Sequence, residues 1–320
     1  DTHNPHESSQ TWQIERATFD GMLLDKAIEN GAVARTDAHV LDVLFEGDQA
    51  TGVKVKLTQG RSGTGASETC EIAAKVVVDA TGTSAFLANR LGLLKSDPYL
   101  KKATVWSYFQ GALRDEGKDE GATIILQTAG KSSWFWYIPL PDDIVSVGCT
   151  GSMHFMFNKD RTDPAEIFAA ELERCPAMQR RLANATQTAD FLTTKDYSYR
   201  ATQAAGPGWL LVGDAFGFVD PVYSSGVFLA LKSGEFAADA IHESLQAASL
   251  GAWQPEYIAG LELFRKLVYA FYAPDFSFGK FLMSYPQYRG NLIDILIGAV
   301  FKPGVGEMFD VMGEVLPPTD

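Results

Sequence analysis

The sequence predicts an α/β protein with a block of antiparallel strands in its middle and a helical C-terminal region. Three observations lead there. The stretch Gly208–Ile241, GWLLVGDAFGFVDPVYSSGVFLALKSGEFAADAI, joins an apolar strand to a long helical pattern through a turn. Val76–Val78 form a continuous apolar run into Asp79-Ala80-Thr81-Gly82 and a second helical pattern, as suits a central parallel strand covered on both faces. Between Ala103 and Gly151 the chain becomes aromatic and β-branched, punctuated by Gly and Asp, which reads as an antiparallel sheet. With 320 residues, 46% hydrophobic and 21% charged, the composition is that of a soluble globular protein with a well-buried core.

The stretch around Gly213 concentrates the chemistry. Trp209–Val212 read as a buried strand that stops at Gly213-Asp214, where glycine lets the backbone turn without a Cβ clash. A loop containing Pro221 follows, and a helix begins at Ser224 or Ser225, with apolar residues at Val227, Ala230, Leu231, Ala237 and Ile241. Asp214, at the carboxyl end of a strand, can accept hydrogen bonds from a polyol. The amides around Ser225, Gly226 and Val227 point toward negative charge. Such a helix end contributes only about 0.3–1 kcal/mol, up to ~2 when partly buried, so hard chemistry there requires a cofactor. The competing reading is a plain strand-to-helix crossover in which Gly213 turns the chain and Asp214 is an ordinary cap.

Bulk properties exclude several classes. Lys+Arg 27 against Asp+Glu 40 gives a net charge of −13, which argues against nucleic acid as a partner. Cys70, Cys149 and Cys175 are odd in number and lack metal-ligand spacing, so no metal site is expected and a cytoplasmic location is the simpler one. His3 and His6 read as a solvated terminus, and no apolar stretch is long enough to span a membrane. The longest candidate, Leu292–Phe301, contains Asp294 and reads as a buried helix.

Taken in order, residues 12–30 form an amphipathic helix with Phe19, Met22, Leu23, Ala27 and Ile28 on one side, ending at Gly31. Two alternating strands and a further hairpin follow, the turn carrying Gly60, Gly63 and Gly65. Gly82 permits close backbone approach, either as a plain turn or beside a nucleotide. In Trp134-Phe135-Trp136-Tyr137-Ile138-Pro139, alternation puts Trp134, Trp136 and Ile138 on one face, as core or as the wall of a chamber. Residues 164–185 are helical with a break at Pro176, and residues 195–208 run extended with Tyr197 and Tyr199 on one side. Phe264, Leu267, Val268, Phe271 and Tyr272 give the next helix an apolar face, broken at Pro274.

These motifs carry a resemblance. The Gly208–Ile241 stretch resembles the second flavin fingerprint of FAD monooxygenases of the p-hydroxybenzoate hydroxylase type, and Arg16–Asp20, RATFD, resembles their Arg-x-x-Phe-Asp segment. PVYSSGV and the complete Trp-x-Trp-x-Ile-Pro match are most similar to the flavin-dependent halogenases. The resemblance implies an FAD-binding domain over 1–100 and 190–245, an antiparallel substrate domain over 101–189 and a helical region over 246–320. It implies that Arg16, Gly213, Asp214, Pro221, Gly226 and Val227 bind FAD, Asp214 through the ribityl chain. Ser224, Ser225 and Gly226 border the halide site, and Trp134, Trp136 and Tyr223 line the substrate pocket. Reduced FAD, delivered by a separate flavin reductase, would react with O2 and chloride or bromide to halogenate an electron-rich aromatic.

Where tryptophan halogenases carry a glutamate, this chain has Tyr223, so a phenol or pyrrole, small or carrier-protein-bound, is the expected substrate. The family's lysine lies upstream of Arg-x-x-Phe-Asp, and the sequence shows no strand-GxGxxG-helix opening, so no catalytic residue is assigned. Lys195 and Lys232 read as solvent-facing. The rival readings are a flavin monooxygenase or geranylgeranyl-reductase-like oxidoreductase, and a truncated flavoprotein without turnover.

Overall fold

The structure is a computed structural model that describes residues 12–58, 67–158, 160–244 and 249–313. The chain divides into two compact units. Among the described residues, one comprises Arg16–Lys95 and those from Tyr199 onward, and the other residues 12–15 and Ser96–Ser198. His3, His6 and the hairpin turn with Gly60, Gly63 and Gly65 lie outside the described residues.

The first unit opens with helix α1, Arg16–Glu29, which forms as its spacing predicts but buries none of its residues. Strands β1 (Ala38–Glu46), β2 (Gln49–Thr58) and β3 (Ser67–Ala73) make an antiparallel meander. Strand β4, Val77–Asp79, then runs into a turn and helix α2, Phe86–Arg90, followed by β5, Leu94–Ser96. The turn after β4 is built on Asp79, which is 5% exposed and accepts the amides of Thr81 at 2.8 Å and Leu87 at 2.7 Å. Gly82 turns the chain without close approach to a protein neighbour. A Cβ there would meet nothing within 4 Å, and glycine is needed for its φ of +63°.

The second unit is the expected antiparallel sheet: β6 (Lys102–Gln110), β7 (Ile124–Gln127), β8 (Ser133–Pro139) and β9 (Ile144–Ser152), in the order β6-β9-β8-β7. The short helix α3, Met153–Met156, leads on to α4, Pro164–Glu173, and α5, Pro176–Leu182. The break predicted at Pro176 falls between these last two. Strands β10 (Thr186–Gln187) and β11 (Leu192–Lys195) return to pair with β6. One sheet face supplies Val105, Phe135, Tyr137, Val147 and Cys149 to a core closed by Ile167 and Phe168 of α4 and Met178 of α5. At its edge sits a buried charge network. Glu171, fully buried, accepts from Ser133 Oγ at 2.6 Å and pairs with Arg161 at 3.3 Å and Arg174 at 3.2 Å.

The chain then re-enters the first unit through β12 (Tyr199–Ala201), β13 (Ala205–Gly206), β14 (Trp209–Leu211) and β15 (Gly217–Phe218). Strand β14 is buried throughout and pairs parallel with β4. The expectation that β4 is a central strand is corrected: in the order β13-β14-β4 it lies at the edge, with Val78 43% exposed. Helices α6 (Gly226–Ser244), α7 (Gln254–Tyr272), α8 (Phe278–Ser284) and α9 (Arg289–Leu296) complete the unit. Of the apolar residues marked on helix α6, Ala237 is buried and Val227, Ala230 and Ile241 are half-buried. The buried row of the helix is Leu229, Ser233, Ala237 and Ala240, whereas Leu231 is 49% exposed. Phe264, Leu267 and Val268 of α7 are buried as expected, and α7 stops before Pro274. The Asp294 helix is α9, shorter than the apolar run, and buried Asp294 pairs with Lys302 at 2.6 Å. Among the described residues no helix is long and apolar enough to cross a membrane.

Removing one partner of a buried ion network leaves the others uncompensated, at a cost of about 3–5 kcal/mol. Arg161 and Arg174 keep 28% and 33% of their side-chain surface in water, so the lower end applies. Glu171→Ala is expected to lower stability by about 3 kcal/mol, measured by urea unfolding.

Candidate functional site

Parallel strands β4 and β14 both run into turns at their carboxyl ends, the place where open α/β sheets bind ligands. The turn after β14, Gly213–Ala215, is seated directly on α6. Gly213 has a φ of +55°, and a Cβ at this position would come within 3.3 Å of the Ala230 Cβ. Its amide donates to Ser233 Oγ at 2.8 Å, and that hydroxyl, fully buried, donates to the Ala230 carbonyl at 2.8 Å. On the far side of the turn the Tyr199 hydroxyl donates to the Asp214 carbonyl at 2.7 Å.

The Asp214 side chain differs from its main chain. It is half-buried, and its carboxylate accepts no hydrogen bond from the described residues. Desolvation pushes its pKa above the ordinary carboxylate value, and the positive charge of Arg16 pulls the other way. Arg16 itself is committed to Asp20, donating Nε at 3.0 Å and Nη2 at 2.8 Å. Asp214 therefore feels a cation that does not bond to it.

Helix α6 begins close by. The Ser225 carbonyl accepts the Leu229 amide at 2.9 Å, which makes Ser225, 8% exposed, the cap residue and resolves the choice between the two serines. The amides of Gly226, Val227 and Phe228 then have no acceptor within the helix. Ala230, against which Gly213 packs, is four residues from Gly226, about 6 Å of helix rise. Asp214 and the amide-rich tip thus lie on the same end of α6.

The loop between them is tightly built. Buried Asp220 accepts the Val222 amide at 2.9 Å and the Tyr272 hydroxyl at 3.1 Å, and Pro221 opens a 3-10 turn through Tyr223. Ser224 is exposed, with a left-handed φ of 53°. Tyr223, expected to line a pocket, spends its hydroxyl on the Leu267 carbonyl at 3.4 Å and its ring on Phe271 at 6.1 Å. Burial raises its pKa.

In the sheet unit, Trp134 and Trp136 lie on one face of β8, opposite Phe135 and Tyr137, as alternation requires. Trp134 is 2% exposed and its ring lies 6.1 Å from that of Trp136. A third indole, Trp106 of β6, stands 6.4 Å from Trp136 across Gly148 of β9, and Trp136 Nε1 donates to Ser146 Oγ at 3.2 Å. Trp106 was not singled out from sequence. Its partnership with Trp136 follows from strand register, which an isolated strand pattern does not reveal.

Of the two lysines, Lys195 is exposed as expected and Lys232 is half-buried. Lys195 Nζ lies 3.5 Å from the Phe157 ring centroid, and half-buried Lys232 pairs with Glu235 at 2.8 Å. Among the described residues no group of His, Cys, Asp and Glu could hold a metal ion.

A family model described as tryptophan halogenase matches residues 2–276. The chain is 29% identical over 301 residues to a 1H-pyrrole-2-carbonyl-(peptidyl-carrier protein) brominase of Pseudoalteromonas luteoviolacea, covering 91% of this chain and 70% of that protein. It is 29% identical over 315 residues to the corresponding chlorinase of Pseudomonas fluorescens, covering 96% and 68%. Its fold superimposes on the flavin-dependent brominase Bmp2 with a TM-score of 0.83 at 26% identity, over 95% of this chain and 76% of that one.

Two substitutions probe this geometry. Because the folded-state pKa of Asp214 is raised, folding favours its protonated form, and the penalty on the ionised form is present at neutral pH and relieved as pH falls through the raised value. Asp214→Asn is therefore expected to raise the thermal midpoint of the cofactor-free protein at pH 7, with the gain shrinking on acidification, in melts run from pH 7 to about pH 4. A Cβ on Gly148 would lie 2.2 Å from Trp136 Cζ2, so the indole has to move. Gly148→Ala should cost about 1–3 kcal/mol and change the tryptophan fluorescence and near-UV circular dichroism, whereas a neutral result contradicts the packing described.

Proposed function

This chain belongs to the tryptophan halogenase family of FAD-dependent, halide-using oxidoreductases, and we propose that it halogenates a pyrrole or similar electron-rich aromatic acyl group held on a carrier protein. The substrate class rests on the two pyrrole-2-carbonyl relatives, which this chain matches over nearly its whole length. It accords with Tyr223 standing where tryptophan halogenases carry a glutamate.

One observation carries the placement of the cofactor: the half-buried Asp214 carboxylate, which no donor among the described residues satisfies, beside the amide-rich end of α6. Such a group needs donors, and the hydroxyls of a ribityl chain are donors of that kind. In this reading the unit containing α6 holds FAD through Asp214, with Arg16, Gly213, Pro221, Gly226 and Val227 around it. The exposed Ser224, the cap Ser225 and the Gly226 amide attract halide. The sheet unit supplies Trp134 and Trp136 to the aromatic substrate, while Tyr223 shapes the loop through Leu267 and Phe271.

When bound, the flavin supplies the electrons and the reaction with O2. The chain's own part is placement. Asp214 fixes the cofactor by accepting hydrogen bonds, and the first amides of α6 favour a negative charge by about 0.3–1 kcal/mol, up to ~2 where partly buried. The indoles present an apolar surface that excludes water from an aromatic ring. A separate reductase delivers the reduced flavin. The three free cysteines, Cys70, Cys149 and Cys175, are at home in a reducing cytoplasm.

The test offers the full encoded protein reduced FAD, O2 and chloride or bromide, with pyrrole-2-carbonyl on a carrier protein or free tryptophan as substrate. Mass spectrometry should show halide-dependent halogen incorporation on the carrier-bound acyl group. Oxygen insertion independent of halide, or halogenation of free tryptophan alone, contradicts the proposal.

A further inference from the structure

We propose that Tyr199 and Ser233 are positioning residues that fix the Asp214 carboxylate for its ligand by gripping the Gly213–Asp214 turn at both ends. The inference rests on the cofactor reading above, and it concerns two side chains that no sequence motif marks.

The two hydrogen bonds bracket Asp214. One holds the amide entering the turn, Gly213 N–H to Ser233 Oγ at 2.8 Å, and the other holds the carbonyl leaving it, Tyr199 Oη–H to Asp214 O at 2.7 Å. They come from different elements, α6 and β12, so the Asp214 Cα is fixed between a helix and a strand. Nothing fixes the side chain beyond that point, since the carboxylate itself accepts no bond from the described residues. Its direction is therefore set by the backbone that carries it.

Ser233 also interacts through its side chain with the buried Tyr257 phenol, whose hydroxyl donates to the Leu229 carbonyl at 3.1 Å. Ser233 is fully buried in the row Leu229, Ser233, Ala237, where alanine would pack as well and favour the helix more. Its hydroxyl is satisfied locally by the Ala230 carbonyl, which orients the oxygen lone pairs toward Gly213. Without it the Gly213 amide would be buried against α6 with no partner. Tyr199 is suited to the other end. Burial pushes its phenol up to about 12, so it remains a donor across the physiological range.

The test is a double-mutant cycle read by FAD affinity, with backbone amide exchange at residues 213–215 as a second readout. Tyr199→Phe and Ser233→Ala each remove one hydroxyl. Each is expected to weaken FAD binding about fivefold in the parent protein, the worth of one hydrogen bond, and to speed exchange in the turn. In an Asp214→Ala background, Tyr199→Phe should change FAD affinity less than about twofold, because its effect is carried by the carboxylate. An equal loss in both backgrounds, or no loss in either, overturns the proposal.

If Asp214→Ala binds FAD as tightly as the parent, the cofactor reading falls. The grip on the turn is then decided by exchange alone, with acceleration in Tyr199→Phe supporting it and no change refuting it. Should Ser233→Ala fail to fold, Tyr199→Phe at its half-buried position carries the test.

Discussion

A carboxylate taken partly out of water must find hydrogen-bond donors or give up its charge. Two aspartates stand at the carboxyl ends of adjacent parallel strands here, and they meet that constraint in opposite ways. Asp79, after β4, is buried and fully used, accepting the Thr81 and Leu87 amides that shape its own turn. Asp214, after β14, is half-buried and accepts nothing from the described residues. The strands are locked side by side, with the Val212 amide on the Asp79 carbonyl at 3.0 Å, so both turns emerge at one end of the sheet. One aspartate is spent on the fold, and the other keeps a carboxylate that no donor among the described residues engages.

Much of this was legible in the sequence because it is local. Strand, glycine, aspartate, proline, serine and helix follow one another in Gly208–Ile241, and the structure keeps that order element by element. The antiparallel block was equally readable from alternation, with Trp134 and Trp136 on one face as period two demands. What sequence did not reveal is what depends on pairing between distant segments. Ser233 looks like a polar interruption of α6 until Gly213 is seen against it, and Tyr199 looks like one more strand aromatic. Trp106 joins Trp134 and Trp136 only through the register of β6, β9 and β8. The edge position of β4 escaped for a related reason: a continuous apolar run shows that a strand prefers to be covered, not which neighbours it has.

The same economy appears in the sheet unit, where the indole face is held from behind. Ser133, immediately before Trp134, is tied to buried Glu171 at 2.6 Å, and Glu171 is held in turn by two arginines. From the front, Gly148 leaves room for Trp136 to lie across the sheet, and Ser146 accepts its indole N–H. In both units a buried hydroxyl anchors the residue just before one of these side chains: Ser233 accepts the Gly213 amide ahead of Asp214, and the Ser133 hydroxyl donates to Glu171 ahead of Trp134. Directionality is what hydrogen bonds add to packing, since burial alone is indifferent to orientation.

These arrangements place groups accurately but supply little reactivity of their own. A helix end is worth about 0.3–1 kcal/mol to an anion, up to ~2 when partly buried, far below the ~8–23 kcal/mol by which enzymes lower barriers. Lys232 is paired with Glu235, and Lys195 lies over the face of Phe157. Arg16 is turned to Asp20 in a bidentate pair that leaves Asp214 only its field. A desolvated carboxylate beside a helix tip therefore makes sense as a mount in the cofactor reading proposed above, with the reactivity brought from outside. In that reading, the desolvation of Asp214 is a cost that hydroxyl donors of the ligand would offset.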